Sequence, residues 1–246
     1  MAIQKGDFIK LSYTGKLQNG VTFDTTDANV ARENGIYNEK ANYGPETVVV
    51  GKGYVVAGLD EDFIGKDVGY KGHVDVPPEK GFGLRRIDLI ETIPAKKFKE
   101  KVKPGMRVQV QGRSGLVEST AGGRVRINFN PALAGEKLSY DYAIDELIEG
   151  TDKKIDAILK IYSGQDMTHK TEADKVFVEV PKDLSFNQRW LIAKGVAANE
   201  IMEQDAIKEV VFQETYAKPE VEKVAEEKAA EAKAAEEAPA EEEKKE

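Results

Sequence analysis

Cysteine is absent from the 246 residues, and His73 and His169 are the only imidazoles. Thiol nucleophiles, disulfides, thiolate metal sites and multi-histidine zinc centres are therefore excluded, and no metal or other cofactor is expected. What remains for chemistry is a run of aromatic, aliphatic and carboxylate residues in the first 85 positions: Tyr13, Phe23-Asp24, Val55-Val56, Leu59 and Phe82. Singly, each has a bland explanation. Tyr13 and Phe23 would be core aromatics of a sheet, Asp24 a turn carboxylate after a strand, and Leu59 part of a helix core. His73, in a strand after Gly72, reads as structural, and His169 as a surface-loop residue. Their joint order with Asn19-Gly20, Val55-Val56-Ala57-Gly58 and Phe82-Gly83 is what departs from chance.

The elements that must position these residues follow from periodicity. GDFIKLSYTGKL reads as a strand with Phe8, Leu11 and Tyr13 among its apolar positions. Asn19-Gly20 is a strong hairpin signal, and VTFDTT alternates as the returning strand. The polar stretch from Asp27 to Tyr43, holding Asn34-Gly35, is expected to bulge from the sheet as a loop with one short helix. In ETVVVGKGYVVAGLDEDFIG, Leu59 starts an acidic helix with Phe63 and Ile64, and GHVDVP is another strand.

Charge divides the rest of the chain, whose net is −8. Residues 217–246 hold eleven Glu, six Lys and nine Ala. They cannot bury enough apolar surface to offset ordering, so a solvated acidic tail is expected, with transient helix between Val221 and Ala238. Residues 87–129 are basic, nine Lys or Arg against four Asp or Glu. There MRVQVQ (Met106–Gln111) and GRVRINF (Gly123–Phe129) alternate as half-buried strands between the turn signals Lys103-Pro104-Gly105 and Thr120-Ala121-Gly122-Gly123. A small antiparallel sheet module results. Arg124 and Arg126 give it a basic face, but Phe98 and Phe129 are its only rings, so nucleic acid is a minor alternative. From Thr151, IDAILKIY reads as a helix, KVFVEVP as a strand, Phe186 to about Glu203 as a helix capped by Ser185, and IKEVVFQETY as a last strand. No phosphate loop occurs in that module. No apolar run approaches the roughly 18–20 residues that cross a bilayer. The amino terminus enters a strand pattern with no apolar signal segment, so the expected compartment is the cytosol, without a membrane partner.

YTGKLQNGVTFDTT at Tyr13–Thr26 resembles the signature of FKBP-type peptidyl-prolyl cis–trans isomerases. The similarity continues in GYVVAGLDEDFIGKDVG (Gly53–Gly69) and PPEKGFG (Pro77–Gly83). It breaks for the basic segment and resumes at NPALAGEKLSYDYAI (Asn130–Ile144), an arrangement similar to the SlyD-like subgroup with its insert-in-flap domain. The bulge at Asp27–Tyr43 and the added carboxyl-terminal module are similar to the long archaeal type. The resemblance implies an α+β fold: an antiparallel sheet wrapped on a helix, an inserted small β domain and a carboxyl-terminal α/β module. It implies an isomerase domain at 1–86 plus 130–150, an insert-in-flap chaperone domain at 87–129, an α/β module at 151–216 and the tail at 217–246.

The same resemblance implies that Tyr13, Phe23, Leu59, Phe82 and Tyr140 wall a proline pocket. Val55 would stand on its rim, Leu133 would add to the substrate-binding set, and the Val56 N–H would hold a substrate carbonyl. Asp24 would sit at the edge near Tyr13 and the twisting imide, making Asp24, Tyr13 and Phe23 the catalytic group. Leu59 replaces the Trp of the best-known members, Phe82 their Tyr, and Tyr140 their Phe. Rotation of an X–Pro bond meets a barrier of about 20 kcal/mol because amide resonance must be broken. The twisted imide is less dipolar than the planar one, so a dry aromatic pocket favours it without acid–base groups. Two function classes follow: an isomerase whose insert captures unfolded, proline-containing chains, or a holding chaperone with little catalysis. The carboxyl-terminal module is a candidate for homodimerisation.

Overall fold

The computed structural model describes residues 2–204 and 207–216. The chain mixes helices with antiparallel sheets, as expected of the α+β class, and divides into two compact units, 1–157 and 158 onward. The first unit begins with strands β1 (Phe8–Leu17), β2 (Thr22–Thr25), β3 (Glu46–Val49) and β4 (Lys71–Val76). Four short strands follow, β5 (Ile90–Pro94), β6 (Arg107–Val110), β7 (Arg113–Ala121) and β8 (Arg124–Asn128), and then the long β9 (Leu138–Ile148). Helices α1 (Ala28–Glu33) and α2 (Ala57–Asp62) lie in the connections among the first four strands.

The main sheet runs β2-β1-β9-β4, all neighbours antiparallel, with β3 also on β1. β1 changes partner along one edge: Thr14–Lys16 pair with β2, and Phe8–Leu11 pair with β3. The segment between β2 and β3 leaves the sheet there, as its polarity predicts. Asp27 caps α1 through its side chain, which accepts from the Asn29 and Val30 N–H groups. Gly20, at φ +83°, closes the β1–β2 turn in the left-handed region that the Asn-Gly pair supplies. Alternation on β1 and β9 buries Ile9, Leu11, Leu138, Tyr140, Tyr142 and Ile144 against Leu59 and Phe63 of the α2 segment. Full burial of a large apolar side chain stabilises by roughly 1.5–3 kcal/mol, so this one cluster dominates the sheet's cohesion.

The basic segment forms its own sheet, β5-β8-β7-β6, around Ile93, Val117, Val125 and Ile127. Two of its strands follow the predicted alternation. β7 escapes that pattern because Gly115 interrupts it, and a Cβ at Gly115 would lie 2.5 Å from Ile127 Cγ2. Met106 and Leu116 stay exposed at 39% and 42%.

Helix α3 (Thr151–Ser163) leads into the second unit, which contains β10 (His169–Glu172), β11 (Lys175–Glu179), α4 (Gln188–Met202) and β12 (Glu209–Gln213). β11 pairs antiparallel with β10 and parallel with β12. Trp190 of α4 meets Phe212 edge-on at 5.4 Å between ring centres. Two expectations need correction here. The α4 cap is Asn187, whose side chain accepts from the Trp190 N–H at 3.1 Å, while Ser185 closes a 3-10 turn and its buried Oγ has no partner. His169 lies on edge strand β10 rather than in a loop; HKTE contains no apolar residue, as charged edge strands often do not. The predicted acidic tail lies outside the described residues. No helix among the described residues is long and apolar enough to cross a membrane.

Candidate active site

Residues on one strand face alternate, and residues opposite each other across an antiparallel pair share a face. Leu11, Tyr13 and Gly15 therefore point one way on β1. Glu46 is opposite Leu11 and Asp24 is opposite Gly15, which sets a carboxylate on either side of Tyr13. Tyr13 itself falls at the partner change. Its N–H donates to Thr26 Oγ1 and its carbonyl accepts from the Thr26 N–H, both at 3.0 Å. The Tyr13 hydroxyl donates to Asp24 Oδ2 at 2.9 Å.

Gly15 lets two rings close over the strand. A Cβ there would lie 2.7 Å from Phe23 Cζ and 2.9 Å from Tyr140 Cε1. Phe23 stands edge-on to Tyr140 at 5.8 Å and to Phe82 at 6.2 Å between centroids, and Tyr13 meets Tyr140 at 6.0 Å. Such pairs prefer this geometry by about 0.5–1.5 kcal/mol each. A Gly15→Ala variant is expected to lose about 1–3 kcal/mol by overpacking. It should also move the ring-proton resonances of Phe23 and Tyr140. Denaturation combined with NMR of the aromatic region checks both; unchanged spectra at wild-type stability would show that the rings do not depend on this close approach.

The floor comes from the opposite side of the sheet cluster. Val56 precedes α2 in extended conformation, and its carbonyl accepts from the Leu59 and Asp60 N–H groups at 3.0 Å each. Leu59, only 1% exposed, faces the core. The buried Asp60 carboxylate accepts from the Gly51 N–H at 2.9 Å, which ties the Gly51–Tyr54 turn to the helix. Phe82 follows the 3-10 turn Pro78–Lys80 and remains 40% exposed at the entrance.

These residues enclose a cavity of about 370 Å³. Seven expected site residues line it: Tyr13, Asp24, Val55, Val56, Leu59, Phe82 and Tyr140. Phe23 stands outside the lining and buttresses Phe82 and Tyr140 from the side. Leu133 also lies outside it, in the loop before β9, with a left-handed backbone at φ +66°. Glu46, Gly53 and Tyr54 complete the wall and were not anticipated. A usable signal for Glu46 would have been the pairing of β3 with β1, which no local periodicity reveals.

Burial, then the Glu46 and Asp24 carboxylates, push the Tyr13 hydroxyl far above the usual phenol range. Burial, then Asp24, raises Tyr140 to about 12. Both phenols stay protonated at neutral pH, so Tyr13 is a permanent donor to Asp24 and the aromatic wall carries no charge. The site can accept an apolar ring, exclude water from it, and present a fixed carboxylate–phenol pair at one side.

A family model described as FKBP26, IF domain matches residues 91–133, and one described as FKBP26_C-terminal matches 151–217. The chain is 34% identical over 148 residues to the short-type peptidyl-prolyl cis-trans isomerase of Methanocaldococcus jannaschii, covering 59% of this chain and 94% of that protein. It is 26% identical over 161 residues to the FKBP-type peptidyl-prolyl cis-trans isomerase SlyD of Haemophilus influenzae, covering 63% of this chain and 77% of the relative. It is 27% identical over 163 residues to SlyD of Vibrio cholerae, covering 63% and 73%. With the Tyr-Thr-Gly and Phe-Asp segments meeting at one aromatic cavity, these matches place the chain in the FKBP-type, SlyD-like family of peptidyl-prolyl cis–trans isomerases.

Proposed function

We propose that this isomerase binds proline in the 370 Å³ cavity and accelerates rotation of the preceding imide bond in unfolded or proline-containing polypeptides in the cytosol. The observation that carries the reading is the enclosure of one apolar cavity by Tyr13, Leu59, Phe82 and Tyr140, with the Tyr13–Asp24 pair at its side. The proline ring packs on Leu59 and the rings, the Val56 N–H holds a substrate carbonyl, and Asp24 stands beside the twisting imide. Planar imide is the more dipolar form, so moving it into this wall penalises the ground state more than the transition state. The test is exchange NMR of Ala-Leu-Pro-Phe with the purified chain. Exchange faster than in buffer alone supports the reading, and a rate equal to the uncatalysed one removes it.

The four-stranded insert is proposed to hold unfolded segments. Its support is the pairing of exposed Met106 and Leu116 with a basic surround, a face suited to apolar and acidic stretches. The second unit is proposed to form a homodimer. On α4, Ile192 and Val196 lie one turn apart at 75% and 53% exposure, and Leu191 beside them is 46% exposed. A full-length Ile192→Glu/Val196→Glu variant should sediment as a monomer where the wild type sediments as a dimer. A wild-type monomer, or a variant that remains dimeric, would discard this surface.

A further inference from the structure

The cavity rim carries a second carboxylate that the reading above does not use. Glu46 opens β3 opposite Leu11, two residues along β1 from Tyr13. It lines the cavity beside the same phenol, whose one O–H donates to Asp24 at 2.9 Å. Burial, then the Asp24 charge, holds the Glu46 carboxyl above the ordinary range, with the nearby Tyr13 hydroxyl acting the other way. Two like charges thus share one rim, and the residues lining the cavity include no lysine, arginine or histidine.

We propose that Glu46, acting with Asp24, makes this cavity select X–Pro segments in which lysine or arginine flanks the isomerising proline. The proposal rests on the isomerase reading and names the substrate class of the same site. Leu59, Phe82 and Tyr140 take the proline ring, so a residue next to it must pass the rim where β2 and β3 part. A cation there meets two carboxylates and relieves their mutual repulsion. A third carboxylate adds to it, at distances where charges still couple through a partly dry wall. The insert, basic in composition, is proposed above to take acidic stretches. One client chain is therefore sorted by sign, its acidic parts to the insert and its basic X–Pro sites to the cavity.

The experiment uses the full chain and two peptide series, Ala-Xaa-Pro-Phe and Ala-Leu-Pro-Xaa, with Xaa as Lys, Gln or Glu. At low salt kcat/KM is expected to fall in the order Lys, Gln, Glu in at least one series, with about a tenfold spread that shrinks in 0.5 M NaCl. Glu46→Gln should narrow the spread to about threefold or less, and Glu46→Lys should invert the order. Chemical-shift titration with the same peptides reads the preference from binding alone. Lysine-selective binding without turnover upholds the rim assignment and overturns the catalytic reading instead. Equal kcat/KM and equal binding across both series, or a lysine preference that survives Glu46→Lys, overturns the proposal.

Discussion

Phe23→Ala and Asp24→Ala should each lower kcat/KM on a neutral tetrapeptide by about tenfold to a hundredfold, a loss of about 1.4–2.7 kcal/mol in transition-state stabilisation. Phe23 props two of the cavity's rings, so its removal lets Phe82 and Tyr140 relax and admits water to the wall. Asp24 anchors the Tyr13 hydroxyl, and its loss leaves a half-buried donor without its partner beside the imide. Asp24 is exposed and Phe23 only half-buried, packed against the edge of the core around Ile9 and Leu11, so far-UV circular dichroism should match the wild type. Phe82→Tyr, which adds a hydroxyl at the entrance, should be tolerated. Wild-type turnover by both alanine variants would mean that catalysis occurs elsewhere.

Excising Ile87–Phe129 and joining the ends by a short glycine loop should separate peptide chemistry from client handling. Activity on the tetrapeptide should stay within about tenfold, because no insert residue lines the cavity. Acceleration of proline-limited protein refolding should fall by roughly a hundredfold, since a tethered client gains effective concentrations in the millimolar range that the excised form cannot supply. Suppression of aggregation should vanish with Met106, Leu116 and their basic surround. Equal losses on peptide and protein would mean that the insert shapes the pocket; no loss on either would reduce it to a spacer.

Strand alternation and the Asn-Gly turn foretold β1, β2, β4, β6 and β8, because each declares itself within a few residues. Joint motif order likewise pointed to the lining residues from Tyr13 to Tyr140. Long-range register did not show. Glu46 reaches the rim only because β3 takes over the β1 edge after an excursion from Thr26 to Pro45, and nothing in GPETVVV announces that. Tyr54 enters through the Gly51–Asp60 tie, equally invisible in a window of ten residues. At α4, Ser185 and Asn187 both had capping chemistry, and the 3-10 turn before them decided between the two.

One side chain closes the neck between the pocket sheet and the insert. The Arg86 N–H donates to Asn130 Oδ1, and Asn130 Nδ2 donates back to the Arg86 carbonyl, both at 2.8 Å. Asn130 thereby imitates a strand partner and holds the outgoing and returning chain side by side, at roughly one strand spacing of 5 Å. A folded module whose own ends lie that close is expected to fit at this joint without retuning the cavity. The enzyme is thus built as a socket, in which an inserted module can be gained, lost or exchanged by recombination at one hydrogen-bonded joint.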